Sequence, residues 1–236
     1  MDASGYVTLS RQSGLLAQMD IIANNIANAS TTGFRREGMV FSEYLKAAGD
    51  APSLSIGFGN TRVVDQMQGG LSQTGGSFDF AIEGEGFFLI DTPQGQQLTR
   101  SGSFTPGPDG MLVTNDGYQV LDAGGSAIFV PPNGRGIMVA KDGTMSSDGV
   151  PLAQIGLWKP TDPLTLKHEE GTRFSSSGVE TSEGAQIMQG FLEESNVQPL
   201  QEVASMIAVQ RAYEMGQNFL DREDDRARNV IQTLGR

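Results

Sequence analysis

The feature that most constrains this chain is a long helical pattern near its C-terminal end, which begins around ESNVQPLQEVASM and runs towards Arg236. Ser195 and Asn196 are good N-cap residues, and Pro199 is tolerated in a first helical turn. The apolar stripe of this pattern consists of a seven-residue repeat and its flanking positions, namely Met206, Tyr213, Leu220, Ala227 and Leu234 with Leu200, Val203, Ile207, Val209 and Val230. Because such a repeat keeps one stripe facing a partner, it predicts packing against other helices, the alternative being a surface helix packed on its own domain.

A second helical pattern occupies the N-terminal end, from Tyr6 to Ala27. Its apolar residues recur at helical spacing and are Leu9, Leu15, Leu16, Met19, Ile22, Ala23 and Ile26. Asn24, Asn25 and Asn28 weaken helix propensity, and Gly33 offers a left-handed exit, so we expect the helix to end near Asn28. Two compatible roles stay open for these asparagines, helix termination and hydrogen bonding to neighbouring subunits.

The region between the two helices has the sequence pattern of a β-protein. Twenty-five of the 31 glycines lie in residues 49–190, between short apolar or alternating runs such as FDFAIEG, GFFLID and YQVLD. Four Asp-Gly dipeptides, which begin at Asp109, Asp116, Asp142 and Asp148, predict tight turns between antiparallel strands. Since no ten-residue helical pattern separates the strand runs, a small antiparallel barrel or sandwich is predicted.

These patterns predict an α+β fold with long N- and C-terminal helices and a central antiparallel all-β domain. The expected divisions are an N-terminal helix in residues 1–34, an extended connector in 35–74, the β-domain in 75–190 and the C-terminal helix in 191–236. Residues 34–48 could also form a short helix, although Gly38 favours the connector.

Composition excludes several kinds of site. The chain has no cysteine and one histidine, His168, so disulfides, thiolate metal sites and histidine clusters are excluded, and no cofactor or metal is expected. A net charge of −12 opposes nucleic acid and anionic lipid as partners, and the acidic excess lies in the middle of the chain. We expect neither a signal peptide nor a membrane-spanning helix. His168 lies in a polar KHEEG stretch and is interpreted as a solvated side chain.

One possible enzyme site is the carboxylate group Asp79, Glu83 and Glu85. Paired carboxylates can cleave glycosides, so a carbohydrate-acting enzyme is the alternative from another functional class. Acidic residues in an acidic β-domain are mostly solvated turn and edge residues, however, and Gly84 and Gly86 lack the rest of a phosphate-binding loop. The chain is therefore predicted not to be an enzyme.

Two long motifs carry a resemblance to a known family. ANNIANASTTGFRR (residues 23–36) resembles the N-terminal signature of bacterial flagellar rod and hook proteins, and ESNVQPLQEVASMIAVQRAYE (194–214) is similar to their C-terminal segment. Residues 78–90 and 98–104 resemble the entry to their β-domain. Arg35 stands where many relatives have lysine, which keeps the charge. Length and the MDASGYV start are most similar to the proximal-rod members, with distal-rod and hook subunits as alternatives.

The resemblance implies a structural subunit whose terminal helices form the inner, coiled-coil-like layer of a tubular periplasmic rod, with the β-domain outside. It also implies torque transmission from motor to hook, delivery by the flagellar type III export apparatus, and partners that are other rod proteins and further copies of the chain. The residues expected at the assembly interface are Leu9, Leu16, Met19, Ala23, Asn24, Asn25, Ile26, Asn28, Gly33, Phe34, Ser195, Asn196, Val197, Leu200, Val203, Met206, Ile207, Gln210, Arg211, Tyr213, Leu220, Val230 and Leu234.

Overall fold

The computed structural model describes residues 3–48, 51–132, 134 and 136–234. A helix lies at each end of the chain, α1 at Ala3–Ala27 and α2 at Pro199–Leu234. The strands between them are β1 Glu37–Ala48, β2 Ala51–Val64, β3 Leu71–Gln73, β4 Phe80–Glu83, β5 Phe87–Thr92, β6 Gly95–Thr99, β7 Phe104–Pro106, β8 Leu112–Thr114, β9 Gln119–Val120, β10 Met138–Val139, β11 Thr144–Ser147, β12 Val150–Gln154, β13 Leu157–Pro160, β14 Lys167–His168, β15 Arg173–Ser175, β16 Val179–Thr181, β17 Gln186–Gln189 and β18 Phe191–Glu193. The predicted α+β class is confirmed.

The chain divides into two compact units. The helical unit comprises Met1–Ala27, Glu37–Val63 and Gln198–Arg236. The β unit comprises Asn28–Arg36 and Val64–Val197. Each unit is thus assembled from segments that are far apart in the sequence.

In the helical unit, α1 and α2 contact each other and bury Ile21, Ile22 and Val209. The possible short helix in residues 34–48 is wrong, because this stretch contains β1, which pairs with β2 as a two-stranded ribbon. Its β-branched and aromatic residues favour strand over helix.

The start of α2 also differs from the prediction. The helix begins at Pro199, where the fixed φ and missing N–H of proline suit a first helical residue. Ser195 and Asn196 lie too early to cap it, so their predicted role as N-cap residues is wrong. The Ser195 hydroxyl instead accepts a hydrogen bond from Val197 N at 3.2 Å, which makes a local turn.

The β unit is built on antiparallel pairing. Its largest sheet has the order β14-β15-β6-β5-β9-β8-β7, with β13 pairing with both β5 and β16. The strands that the structure describes do not close into a barrel. Of the two predicted alternatives, barrel and sandwich, the barrel is therefore wrong. The run AIFVP at 127–131 forms isolated bridges at Ala127 and Phe129 rather than a regular strand.

All four predicted Asp-Gly turns connect antiparallel neighbours. They join β7 to β8, β8 to β9, β10 to β11 and β11 to β12. Gly110, Gly117, Gly143 and Gly149 each have φ near +80°, a conformation that glycine adopts without a Cβ penalty. These four turns therefore fix the hairpin pairing of the unit as the sequence predicted.

Two hydrophobic clusters form the core of the β unit. The larger includes Phe80, Phe88, Phe104 and Leu112, and the smaller includes Phe87 and Phe174. The His168 ring packs between the Phe34 and Phe174 rings, at centroid distances of 4.9 and 4.6 Å. The interpretation of His168 as a solvated side chain is therefore wrong, because the alternation of β14 turns this ring towards the aromatic residues.

Candidate assembly surface

A buried polar cluster fixes the C-terminal part of α1 within the helical unit. Asn25 is fully buried, and its side-chain oxygen accepts from Glu37 N at 2.9 Å while its Nδ2 donates to Glu37 O at 2.9 Å. The same Nδ2 lies 3.3 Å from a carboxylate oxygen of Glu202 in the first turn of α2. One side chain thus links α1, β1 and α2.

A second contact joins the two helices near the other end of α1. Gln12 is buried, and its Nε2 donates to the Tyr213 carbonyl at 2.9 Å. Gly216 allows this approach, because a Cβ there would lie 2.2 Å from Gln12 Nε2. Beside it runs a groove of about 380 Å³ lined by Thr8, Arg11, Gln12, Leu15, Ala212, Met215, Gly216 and Phe219.

The helical unit leaves large apolar side chains uncovered. On α2, Leu200 is 87% exposed, Val203 45% and Ile207 46%, and their spacing of three and four residues places them on one face. On α1, Leu9 and Leu16 are about half exposed and lie seven residues apart. Met215 and Phe219 are exposed where they line the groove. Large apolar groups in contact with water at this density mark a surface that another molecule covers.

The predicted interface residues on the helices differ in exposure. The exposed ones are Leu9, Leu16, Ala23, Leu200, Val203, Ile207, Gln210, Arg211 and Val230. The partly buried ones are Met19, Asn24, Ile26, Met206, Tyr213 and Leu220, and the side chain of Leu234 lies outside the described residues. The structure therefore exposes the apolar stripe only in part, because the remaining predicted residues are partly buried within the helical unit.

Several other predicted interface residues make contacts inside their own unit. In the β unit, Phe34 and Val197 are buried, and the Asn196 side chain accepts from Arg36 N at 2.6 Å and donates to Met67 O at 2.8 Å. Asn28 accepts a hydrogen bond from the Thr31 hydroxyl, and Ser195 makes the local turn described above.

Gly33 is also enclosed in the β unit. It has φ +73°, and a Cβ there would lie 2.3 Å from Ser101 N. The left-handed conformation predicted after α1 is thus confirmed, and the close approach of a backbone segment adds a second reason for glycine at this position.

The three carboxylates of the possible enzyme site either make a local hydrogen bond or face solvent. Asp79 accepts a hydrogen bond from the Thr74 hydroxyl at 2.6 Å, and Glu83 and Glu85 are exposed. Within the described residues, no group of three or more His, Cys, Asp or Glu side chains is placed to hold a metal ion. In the same part of the chain, no helix has the length and apolarity needed to cross a membrane.

Comparison with family models matches three parts of the chain to flagellar proteins. The model described as flagella basal body rod protein matches residues 6–35, and the flagellar hook protein FlgE/F/G D1 domain matches 81–147. The flagellar basal body rod FlgEFG protein C-terminal model matches 188–233. These are the helical ends and the β-domain entry on which the sequence resemblance was based, and they define a structural protein of the flagellum.

Curated relatives extend the similarity to the full length. The flagellar basal-body rod protein FlgF of Caulobacter vibrioides is 40% identical over 245 residues, covering 100% of this chain and 99% of the relative. FlgF of Mesorhizobium japonicum is 36% identical over 100% of the chain and 99% of the relative. FlgG of Buchnera aphidicola subsp. Acyrthosiphon pisum is 34% identical over 94% and 96%. The chain therefore belongs to the flagellar basal-body rod protein family.

The full-length FlgF alignments confirm the predicted likeness to the proximal-rod branch of that family. A member of this family is a structural rod protein, so the prediction that the chain is not an enzyme is confirmed and the carbohydrate-acting alternative is excluded.

Proposed function

We propose that the chain is a structural subunit of the flagellar proximal rod in the basal body, and that it polymerises through α1 and α2. Its membership of the rod family supports the rod role. The observation that carries the mode of assembly is the exposed face of α2 at Leu200, Val203 and Ile207, which its own chain leaves uncovered.

The proposed interface consists of the exposed part of the two helices. Each Leu, Val or Ile that is fully buried by a neighbouring subunit contributes about 1.5 to 3 kcal/mol relative to its exposed state. The α2 face, together with Leu9 and Leu16 of α1, offers several such side chains per subunit. Repeated along a tube, contacts between rigid helices resist twisting, which suits a shaft that transmits torque from motor to hook.

The partners follow from the same surface. Further copies of the chain and other rod proteins would supply the covering helices, since the seven-residue repeat of the stripe matches helix-to-helix packing. Delivery through the flagellar type III export apparatus is part of this proposal, and a chain free of disulfides suits passage as an extended polypeptide. A distal-rod or hook subunit is the alternative within the family.

The function is tested in a strain that lacks the gene and carries an epitope-tagged copy of the chain. We expect the deletion strain to lack complete rods and to be non-motile, and the tagged chain to restore both and to co-purify with basal bodies. Immunogold labelling below the distal rod would support the proximal position. Complete rods in the deletion strain would contradict the proposal, and label at the distal rod or hook would support the alternative.

A further inference from the structure

In the β unit, one buried carboxylate faces two buried arginines. Glu193 and Arg35 are each 1% exposed and Arg100 is 3% exposed. Arg100 Nη1 donates to Glu193 Oε2 at 2.9 Å, and Arg35 Nη2 forms an ion pair with Glu193 Oε1 at 2.9 Å. The interior of the unit therefore contains two cations that share one anion.

The same glutamate and arginines tie together distant segments of the chain. Glu193 Oε1 accepts from Gly69 N at 2.9 Å, and the Glu193 carbonyl accepts from Gly33 N at 2.7 Å. Arg35 also donates to Met67 O, and Arg100 Nη2 donates to Gly84 O at 2.7 Å. Arg35, Gly69 and Arg100 thus meet at the carboxylate of Glu193, and Arg100 extends the cluster to Gly84.

The charge balance of this cluster depends on Glu193. Burial lowers the pKa of Arg100 to about 10 despite the opposing attraction of Glu193, and repulsion from Arg35 lowers it further. Burial likewise lowers the pKa of Arg35, against the attraction of Glu193. Both cations are therefore costly in this interior even when they are paired. Asp65 also attracts Arg35 and Glu85 attracts Arg100, but among the described residues only Glu193 forms an ion pair with these two arginines.

We infer that Glu193 is a charge latch: its carboxylate holds Arg35 and Arg100 inside the β unit, so that this unit becomes stable only when its last strand, β18, is in place. The chain is synthesised from its N-terminus, so both arginines precede their counter-ion. Until β18 pairs with β3, closing the unit would bury two unpaired cations.

A latch at the end of the β unit keeps an incomplete chain open. This property suits a subunit that passes through a narrow export channel before it folds, a link that rests on the proposed function. The latch itself does not rest on it, because the stability of the purified chain is measured without rods or export. A failure of the latch would therefore appear in the stability of the purified chain, and a failure of the proposed function would appear in rods and motility.

The test uses the full chain and its single tryptophan, Trp158 in β13, whose fluorescence reports unfolding of the β unit. Glu193→Gln keeps the shape of the side chain but removes its charge. We expect the folding equilibrium constant to fall roughly 100- to 1,000-fold, and protease to cut the β unit under conditions in which the unmodified chain resists.

The matched control is Glu180→Gln, which removes a carboxylate from an exposed pair with Lys159 at 3.2 Å. We expect less than about a fivefold change for this control, because surface ion pairs contribute little to stability. A loss of stability at Glu180 as large as that at Glu193 would show that any lost carboxylate has this effect, and would overturn the latch.

A double variant separates the latch from ordinary packing. Adding Arg35→Met to Glu193→Gln removes one of the two unpaired cations. The folding equilibrium constant of the double variant should therefore be at least about tenfold higher than that of Glu193→Gln alone. If the arginine and the glutamate only filled space, the two losses would add. Additive losses, or a Glu193→Gln chain that resists protease like the unmodified chain, would overturn the proposal.

Discussion

The β unit and the helical unit differ in how completely they bury their large apolar side chains. In the β unit, Phe80, Phe88 and Phe174 are fully buried among residues of the same unit. In the helical unit, Leu200, Met215 and several other large apolar side chains face solvent.

The comparison shows that the β unit supplies its own core, whereas the helical unit supplies only part of the packing that its apolar residues require. The contact between α1 and α2 buries Ile21, Ile22 and Val209 and leaves an apolar face and a groove uncovered. Because helices gain most of their stability in proteins from packing an apolar face, we expect the helical unit to gain stability when neighbouring subunits cover it.

The largest expected effect comes from replacing one phenylalanine by alanine in each unit and comparing the two losses of stability. Phe88→Ala deletes a fully buried ring that packs edge-on against Phe104 at 5.2 Å, and it should destabilise the β unit by about 3 to 5 kcal/mol. Phe219→Ala removes a ring that is 42% exposed on α2 and should cost clearly less. Urea unfolding followed by Trp158 fluorescence and by circular dichroism measures both. Equal losses of unfolding free energy in the two variants would contradict the difference in burial between the two units.

The next effect tests the chain segment that follows α1. Gly33→Ala places a Cβ 2.3 Å from Ser101 N at a φ of +73°, so it should destabilise the β unit by about 2 to 5 kcal/mol through strain and displaced backbone. Gly75→Ala is the matched control, since Gly75 has the same φ with no atom within 4 Å of the added Cβ. We expect about 1 to 2 kcal/mol for the control, again from urea unfolding. A Gly33 variant no less stable than the Gly75 variant would contradict the close approach.

A smaller effect is expected inside the helical unit. Asn25→Ala leaves the buried N–H and C=O of Glu37 without their side-chain partner, which should cost about 1 to 3 kcal/mol. The loss should be seen in the melting of helical circular dichroism, with Trp158 fluorescence unchanged. Asn218→Ala, at an exposed position on α2, serves as the control. If Asn25→Ala melted like the control and failed only in rods, the asparagine would act between subunits instead.

Local patterns in the sequence predicted much of the fold. The four Asp-Gly turns require positive φ whatever surrounds them, and the helical periodicity of α1 and α2 is set by residues three and four apart. The ends of the helices were less certain, because Ser195 and Pro199 both suit a helix start. The local turn of Ser195 and Val197 ends the β unit there, and α2 begins at Pro199.

The long-range contacts could not be predicted in this way. Glu193 and its two arginines are separated by 93 and 158 residues, so no local spacing indicates that they meet. Glu202 lies in the first turn of α2, and its burial against Asn25 depends on tertiary packing that no local pattern indicates. Likewise, periodicity indicated an apolar stripe on α2 without indicating which part α1 covers.

The most direct test of the account is to place a charge on the exposed face of α2. Leu200→Glu changes a side chain that is 87% exposed, and Leu164→Glu makes the same change at a 74% exposed position of the β unit, in the short helix Pro163–Thr165. Both purified chains should melt like the unmodified protein, because neither side chain is packed in the monomer. In the deletion strain, only Leu200→Glu should be absent from isolated basal bodies and fail to restore swimming, since a carboxylate in a helix seam is costly. Complete rods built from the Leu200→Glu chain would contradict the claim that this face is an assembly surface.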